Sequence, residues 1–139
     1  MKKNRISKNW INKQRRDIYV RRSKVDGYRS RAAYKLIEID EKFKIFKNGI
    51  SVIDLGAAPG SWSQYLSKKI KKRKVVSIDL REMEAINNIV QIKGDFTEEK
   101  NQSKIKDFFK SNIDVVLSDM SVNTTGNKNI DSIYTGELC

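Results

Sequence analysis

The apolar run ISVIDL at residues 50–55, followed directly by the turn GAAPG, constrains the fold of this chain more than any other stretch. Short runs rich in β-branched residues are typical of strands buried in a parallel sheet. The sequence after the turn predicts a helix from about Ser61 to Lys71, because apolar residues recur there with helical spacing. That apolar face comprises Trp62, Tyr65, Leu66 and Ile70. A strand, a glycine turn and a helix in this order indicate an α/β fold.

The same alternation continues along the rest of the chain. A helix from Ser30 is predicted by an apolar stripe that consists of Ala32, Leu36, Ile39 and Phe43. Further strands are predicted at 74–80, 88–96 and 113–120, and a further helix at 98–112. Strands that alternate with helices predict a parallel sheet, so we expect one α/β domain at 29–139 preceded by a basic arm at 1–28. A polar loop and the start of a helix are predicted after residue 120.

The formal charge of +12 is concentrated at the start of the 139-residue chain. Residues 1–35 contain thirteen Lys and Arg against only Asp17 and Asp26, which accounts for +11 of the total. Clustered Lys and Arg commonly neutralise phosphates, so the arm predicts an RNA or DNA partner. Aromatic residues between the cations suit stacking on bases or docking on the domain. A solvated tail and an organelle transit peptide are the alternatives.

Composition disfavours several other classes of protein. No run of about 18 apolar residues occurs, and the N-terminus lacks an apolar signal-peptide core, which predicts a cytoplasmic protein with no membrane partner. The sequence has no histidine, and its one cysteine, Cys139, is the last residue. Neither an internal disulfide nor a metal site is therefore predicted.

The glycine turn has the pattern D-x-G-x-x-x-G, from Asp54 to Gly60, instead of the G-x-G-x-x-G of dinucleotide-binding proteins. Glycine allows the backbone to approach a ligand closely, because it has no Cβ. The missing dinucleotide pattern argues against a pyrophosphate site. The turn therefore favours a nucleoside ligand without phosphates, and a nicotinamide dehydrogenase is disfavoured.

Each of the four predicted strands ends in or near an acidic residue, namely Asp54, Asp79, Asp95 and Asp119. Open α/β sheets bind ligands at the C-terminal ends of their strands. Asp79 is placed to accept hydrogen bonds from ribose hydroxyls, and Asp95 from an exocyclic amine, with Phe96 covering an adenine face. Any one of these carboxylates alone could simply cap the following helix. Together, behind a glycine turn, they predict S-adenosylmethionine as the cofactor.

Four separated motifs carry a resemblance to a known family: RSRAAYKL at 29–36, VIDLGAAPGSWSQYL at 52–66, IKGDF at 92–96 and VVLSDMSVNTTG at 115–126. In this order and spacing they closely resemble the FtsJ-like ribose 2'-O-methyltransferases, in particular the bacterial enzymes that methylate a uridine ribose in large-subunit (23S) ribosomal RNA. The resemblance implies a Rossmann-like S-adenosylmethionine-dependent methyltransferase fold. It also implies ribosomal RNA or the 50S subunit as the partner, with the basic arm lying along the RNA.

The resemblance also implies roles for individual residues. Cofactor contacts are implied for Gly60, Trp62, Asp79, Asp95 and Asp119. In that order, the first two would contact the methionine portion, and the others the ribose, the adenine amine and the methionine ammonium side of the pocket. Lys35 and Asp119 match the first two members of the family's catalytic Lys-Asp-Lys-Glu tetrad. A ribose hydroxyl is a weak nucleophile, so it needs a base and a fixed line of attack.

The sequence departs from the family pattern in two places. Gly60-Ser61-Trp62 replaces the family's Gly-Gly-Trp, and little harm is expected because serine caps helix starts well. The family sheet has seven strands, and the second lysine and the glutamate of its tetrad have no counterpart before residue 139. We therefore expect an incomplete parallel sheet, the first four strands of seven, and weak or absent methyl transfer by this chain alone. A non-catalytic RNA- or cofactor-binding module is the alternative, and a full-length relative is expected to be a monomer.

Overall fold

The computed structural model describes residues 7–72 and 74–120, which form four helices and four strands. The helices are α1 (Lys8–Asp26), α2 (Ala32–Phe43), α3 (Ser61–Lys69) and α4 (Glu99–Phe109). The strands are β1 (Ser51–Leu55), β2 (Lys74–Asp79), β3 (Val90–Lys93) and β4 (Val115–Ser118). The loop and helix start predicted after residue 120, and Cys139, lie outside the described residues.

The four strands form one parallel sheet in the order β3-β2-β1-β4. Val52 of β1 pairs with Val75 of β2 on one side and with Val115 of β4 on the other. The predicted α/β architecture with four parallel strands is therefore confirmed. The chain runs outward from β1 to β3 and then returns to the far side of β1. Ligands of open α/β sheets bind at such a reversal of strand order, which here falls between β1 and β4.

Alternate side chains of the strands are buried against helices on the two faces of the sheet. The first cluster joins α2 and α3 to the sheet and contains Leu36, Phe46, Val52, Trp62, Leu66, Ile70 and Val75. The second joins α4 to the sheet and contains Ile53, Val76, Ile78, Ile105 and Phe109. Each fully buried apolar side chain of this kind stabilises a fold by about 1.5–3 kcal/mol. The two clusters hold the strand ends in fixed positions.

The buried face of α2 differs from the predicted stripe at its last residue. The stripe predicts a buried Phe43, but this side chain is 63% exposed. The helix ends there because Lys44 adopts a left-handed conformation with a φ of 52°. The chain then turns back and buries Phe46 instead, whose backbone N–H donates to the carboxylate of the buried Asp40 at 3.1 Å.

The third strand is shorter than the predicted 88–96. It ends at Lys93, and the N–H of Gly94 donates to the carbonyl of Asp79 at 2.9 Å. A Cβ on Gly94 would lie 2.5 Å from Asn101 Nδ2, so glycine allows the chain to pass close to α4. Asp95 therefore follows the strand by two residues instead of ending it.

The basic arm contains a helix, α1, that the sequence patterns did not predict. Ser7 caps its start, and Gly27, with a φ of 79°, ends it. The Tyr19 hydroxyl donates to Glu38 of α2 at 3.0 Å, which connects the arm to the domain. Ser23 is the one buried residue of α1, and the lysine and arginine side chains of the helix are exposed to solvent. No helix within residues 7–72 and 74–120 is long and apolar enough to cross a membrane.

Candidate functional site

A small pocket of about 60 Å³ lies where the C-terminal ends of β1 and β4 meet. The glycine turn, Trp62 and the carboxylates of Asp54 and Asp119 contribute to its lining. It therefore coincides with the reversal of strand order, the position that α/β sheets use for ligands.

A larger cavity of about 480 Å³ lies between α1, α2 and α3, and neither the glycine turn nor a strand end lines it. Its buried acid, Asp40, already accepts hydrogen bonds from the Tyr65 hydroxyl at 2.6 Å and from the backbone N–H of Phe46 at 3.1 Å. We assign the candidate site to the smaller pocket, because the carboxylates and the close backbone approach are there.

Gly56 forms the first bend of the turn and has a φ of 68°. Its N–H donates to the carbonyl of Ile78 at 2.9 Å, which fixes the turn against β2. A Cβ on Gly56 would collide with the side chain of Met120, which covers this part of the turn. The absence of a Cβ at Gly56 therefore allows the Met120 side chain to pack against the backbone of the turn.

Gly60 ends the turn with a φ of 110°, which favours glycine. A Cβ at this position would lie 2.9 Å from Arg29 Nη1 and 3.0 Å from Ile86 Cδ1. The structure thus places Gly60 against these two side chains, and its predicted contact with the methionine portion of a cofactor stays a prediction.

Trp62 lies on α3 and is almost fully buried. Its indole Nε1 donates to the carbonyl of Ala32 at 2.7 Å, and its ring belongs to the core cluster between α2 and α3. The residue also lines the pocket. Trp62 thus forms part of the pocket wall next to the core. Its predicted contact with the cofactor stays a prediction.

Asp79 joins the end of β2 to the glycine turn. Its Oδ2 accepts from the backbone N–H of Ala58 at 2.9 Å, and its Oδ1 accepts from the backbone N–H of Arg81 at 2.7 Å. Each carboxylate oxygen retains further lone pairs after one hydrogen bond. The predicted role toward a ribose stays open, and the residue has in addition a role in shaping the turn.

Asp95 lies apart from the pocket lining, and its carboxylate makes local contacts. Its Oδ1 accepts from the backbone N–H of Thr97 at 2.9 Å and from the Thr97 hydroxyl at 2.7 Å. These hydrogen bonds lower the pKa of Asp95 below its usual value, so the group is ionised at neutral pH. These contacts are explained by a structural role of Asp95 in the turn before α4. Its contact with the adenine of a cofactor stays a prediction.

Lys35 and Asp119 are brought together from distant parts of the chain. Lys35 Nζ donates to Asp119 Oδ1 at 2.7 Å, although the two residues are 84 positions apart. Lys35 belongs to α2, and Asp119 follows β4 directly. The side chains are 58% and 40% exposed, so the pair is accessible at the mouth of the pocket.

Asp54 is the buried acid of the site. The hydroxyl of Ser63 donates to its Oδ2 at 2.8 Å, and Ser63 also hydrogen-bonds Ser77. Burial raises the pKa of Asp54 to about 7, the Ser63 hydrogen bond opposes the rise, and the charges of Asp79 and Asp119 add to it. Within the turn, the amide of Ala58 donates to Asp79 and not to Asp54.

Sequence reasoning missed two residues of the site. Ser63 occupies the third position of α3 and faces β1, a placement that only the packing of helix on strand defines. Arg29 is the first residue of the motif RSRAAYKL, yet the sequence alone indicates no role for it. Its guanidinium donates to the backbone carbonyls of Pro59 and Glu84.

Comparison with known proteins identifies the family. Residues 28–139 match the FtsJ-like methyltransferase family. The chain belongs to this family. A ribosomal RNA large subunit methyltransferase E from Pelagibacter ubique (strain HTCC1062) is 75% identical over 138 residues, which are 99% of this chain and 68% of that protein. The protein of the same name from Rickettsia bellii (strain RML369-C) is 48% identical over 139 residues, 96% of this chain and 61% of that protein.

A solved structure of an FtsJ-like relative is also similar. A crystal structure described as a ribosomal RNA methyltransferase from Plasmodium falciparum matches with a TM-score of 0.72 and 37% identity, covering 80% of this chain and 66% of that one. The Rossmann-like fold inferred from the sequence is thus confirmed. The chain spans between about three fifths and two thirds of the length of these relatives.

The donor set of this FtsJ-like chain fits a cationic nucleoside cofactor. The charges of Asp79 and Asp119 raise the pKa of Asp54, so the potential at this edge of the sheet favours a positively charged ligand. S-adenosylmethionine carries an ammonium and a positive sulfonium. Within residues 7–72 and 74–120, no cluster of three or more Cys, Asp or Glu could hold a metal ion.

Proposed function

We propose that this chain binds S-adenosylmethionine at the C-terminal edge of its sheet and acts in the 2'-O-methylation of a uridine ribose in large-subunit ribosomal RNA. The observation that carries the proposal is the ion pair of Lys35 and Asp119 at 2.7 Å, beside the glycine turn. The printed names of the relatives refer to ribosomal RNA methyltransferases. With this substrate, we expect the protein in the cytoplasm and the 50S subunit as its partner.

S-adenosylmethionine supplies a methyl group on a positively charged sulfur, which becomes neutral when the methyl leaves. Asp119 would bind the cationic side of this cofactor while its Oδ1 holds the Lys35 ammonium. Lys35 Nζ would donate a hydrogen bond to the ribose 2'-oxygen or to the adjacent phosphate and so fix the line of attack. Asp79 would accept from the cofactor ribose, and Gly60, Trp62 and Asp95 would complete the cofactor contacts.

The exposed cations of α1 support the RNA side of the proposal. They comprise Lys8, Lys13, Arg15, Arg16, Arg21, Arg22 and Lys24. Arg22 also lies 3.5 Å from Asp26, whereas most of the others face solvent along the helix. A helix that presents this many cations neutralises phosphates and releases counterions on binding.

Calorimetric titration tests the cofactor. We expect heat of binding with S-adenosylmethionine and none with a nicotinamide dinucleotide. The reverse result would refute the assignment. Transfer is then tested with radiolabelled cofactor and 50S subunits from cells that lack the methylation. A methyl group on a 2'-oxygen is recognised because it protects the adjacent phosphodiester from alkaline cleavage.

Because this chain alone is expected to transfer methyl groups weakly or not at all, binding without transfer is compatible with the alternative, a non-catalytic binding module, and detectable transfer excludes that alternative. The arm is tested separately by RNA affinity at several salt concentrations. Exchange of Lys13 and Arg16 for alanine should flatten the logarithmic salt dependence by about one unit for each phosphate that is no longer neutralised. An unchanged slope would place the RNA elsewhere on the protein. A single species of monomer mass by light scattering is expected for the full-length protein.

A further inference from the structure

The guanidinium of Arg29 bonds two segments that are far apart in the sequence. Nη1 donates to the carbonyl of Pro59 at 3.0 Å and to that of Glu84 at 2.8 Å, and Nη2 donates to the carbonyl of Ala85 at 3.2 Å. Pro59 belongs to the glycine turn, and the other two belong to the connection between β2 and β3. One side chain thus joins the turn to this connection.

The connection itself, residues 80–89, contains neither helix nor strand. It follows Asp79 directly and therefore borders the position where the ribose of the cofactor is expected. Arg81, within the connection, donates from Nη2 to the carbonyl of Ala58 at 3.1 Å. The two arginines hold successive carbonyls of the turn. The Glu84 carbonyl that Arg29 binds also accepts from Gln91 Nε2 at 3.0 Å, whereas the Ala85 carbonyl accepts from Arg29.

The backbone of Arg29 is fixed as well. Its N–H donates to Gln64 Oε1 of α3 at 2.8 Å. Gly60 leaves the space that the guanidinium occupies, because a Cβ there would lie 2.9 Å from Nη1. Arg29 is therefore held by hydrogen bonds to three parts of the structure, namely α3, the turn and the connection.

We propose that Arg29 is a positioning residue that clamps the connection 80–89 onto the glycine turn and so shapes the adenosine side of the cofactor pocket. The role toward the cofactor rests on the proposed function. Arginine suits the task because its planar guanidinium offers five donors in a fixed fork, so it can reach three carbonyls at once. Lysine offers one compact ammonium, so it can replace only part of this network.

The test compares Arg29→Ala and Arg29→Lys with Arg31→Ala. Arg31 is an exposed residue of the same motif, and its substitution serves as the matched control. Backbone hydrogen exchange is measured for residues 80–89 and for β1, the affinity for S-adenosylmethionine by calorimetry, and the melting temperature by circular dichroism. The exchange measurement needs no cofactor, so it tests the clamp independently of the proposed function.

For Arg29→Ala we expect faster exchange in residues 80–89 with unchanged exchange in β1, and a loss of cofactor affinity of about tenfold, as for the loss of a charged hydrogen-bond network. Arg29→Lys should lose less, and Arg31→Ala should lose nothing. Millimolar guanidinium ion should restore part of the affinity of Arg29→Ala, whereas equal ammonium should not. This rescue distinguishes a positioning role from general destabilisation.

Unchanged exchange in residues 80–89 of both Arg29 variants would overturn the clamp. Unchanged cofactor affinity in Arg29→Ala, beside normal binding by the unsubstituted protein, would overturn its role toward the pocket. If Arg29→Ala fails to fold, the same two criteria apply to Arg29→Lys. A protein that does not bind S-adenosylmethionine at all would refute the proposed function, and the exchange result would still decide the clamp.

Discussion

Lys35 Nζ lies 2.7 Å from Asp119 Oδ1 and joins α2 to the end of β4 at the mouth of the pocket. Both side chains are about half exposed. Solvent screens a pair of this kind, which contributes only about 0–1 kcal/mol to stability. Folding therefore gains little from the pair, which agrees with the proposed role of Lys35 in orienting the substrate.

Substitution Lys35→Met should separate these two explanations. We expect a change of less than about 1 kcal/mol in the free energy of unfolding, because the pair is exposed. Any methyl transfer by the unsubstituted chain should fall by about a hundredfold, because the reacting oxygen loses the contact that fixes its line of attack. Lys42→Met, on the same helix and also exposed, is the control and should change neither quantity. A fully active Lys35→Met protein would remove Lys35 from the mechanism.

Asp79→Ala should weaken cofactor binding more than RNA binding. The carboxylate accepts from the backbone N–H of Ala58 at 2.9 Å, so its removal frees the glycine turn and also removes the predicted ribose acceptor. A decrease of about tenfold or more in affinity for S-adenosylmethionine is expected when a buried hydrogen-bonded carboxylate is removed. Calorimetry and RNA filter binding measure the two affinities.

The control for this experiment is Asp107→Ala, an exposed acid on α4 that removes the same charge from the protein. It should leave cofactor affinity unchanged. Equal decreases in the two variants would mean that net charge, and not the position of Asp79, governs cofactor binding.

Gly56→Ala should weaken cofactor binding, because Gly56 lines the pocket, a new Cβ would push the Met120 side chain aside, and the φ of 68° disfavours a side chain. Gly49→Ala is a matched control with a φ of 84° but with only one atom, the carbonyl oxygen of Lys72 at 4.0 Å, near the new Cβ. Both variants should lose stability from backbone strain in thermal melts, and Gly56→Ala should lose more because its Cβ also collides with Met120. Only Gly56→Ala should lose binding in calorimetry, and an equal effect of both on binding would contradict the importance of close approach.

Local patterns in the sequence predicted much of the fold. The runs that became β1 and β2 and the helical spacing of Trp62 and Leu66 were sufficient, because burial on a parallel sheet demands continuous apolar strands. The end of β3 was misplaced because the chain turns at Gly94. Only the tertiary structure shows why, since Gly94 passes too close to Asn101 for a residue with a Cβ. Phe43 was misplaced because the helix ends there.

The candidate site was predictable where acids follow strands, since strand ends of a parallel sheet share one edge. Lys35 and Asp119 were identified as site residues by motif resemblance and not by spacing. Arg29 and Ser63 were missed because their partners lie 30 to 56 and 9 to 14 positions away, respectively, and are defined only by tertiary packing. No pattern in the neighbouring sequence indicates that Arg29 or Ser63 contacts the site.

The last prediction concerns the buried carboxyl of Asp54, whose pKa burial raises to about 7. Its ordinary value is 3.8, so between about pH 4 and 7 the folded protein binds a proton that the unfolded chain has lost. Stability is therefore fully present below the lower pKa and is lost as the pH rises through about 7. The folding equilibrium constant should fall by at most about tenfold per pH unit in this range.

Urea denaturation between pH 5 and 8 measures this effect with little interference. The sequence has no histidine, and Asp40 and Asp95 have lowered pKa values, so they remain ionised throughout this range. Asp54→Asn keeps the shape and an acceptor for the Ser63 hydroxyl but cannot ionise, so its stability should be nearly independent of pH. A cationic cofactor favours the ionised form of Asp54, so S-adenosylmethionine should stabilise the unsubstituted protein more at pH 8 than at pH 5. Equal pH dependence in both proteins would assign the proton to another group.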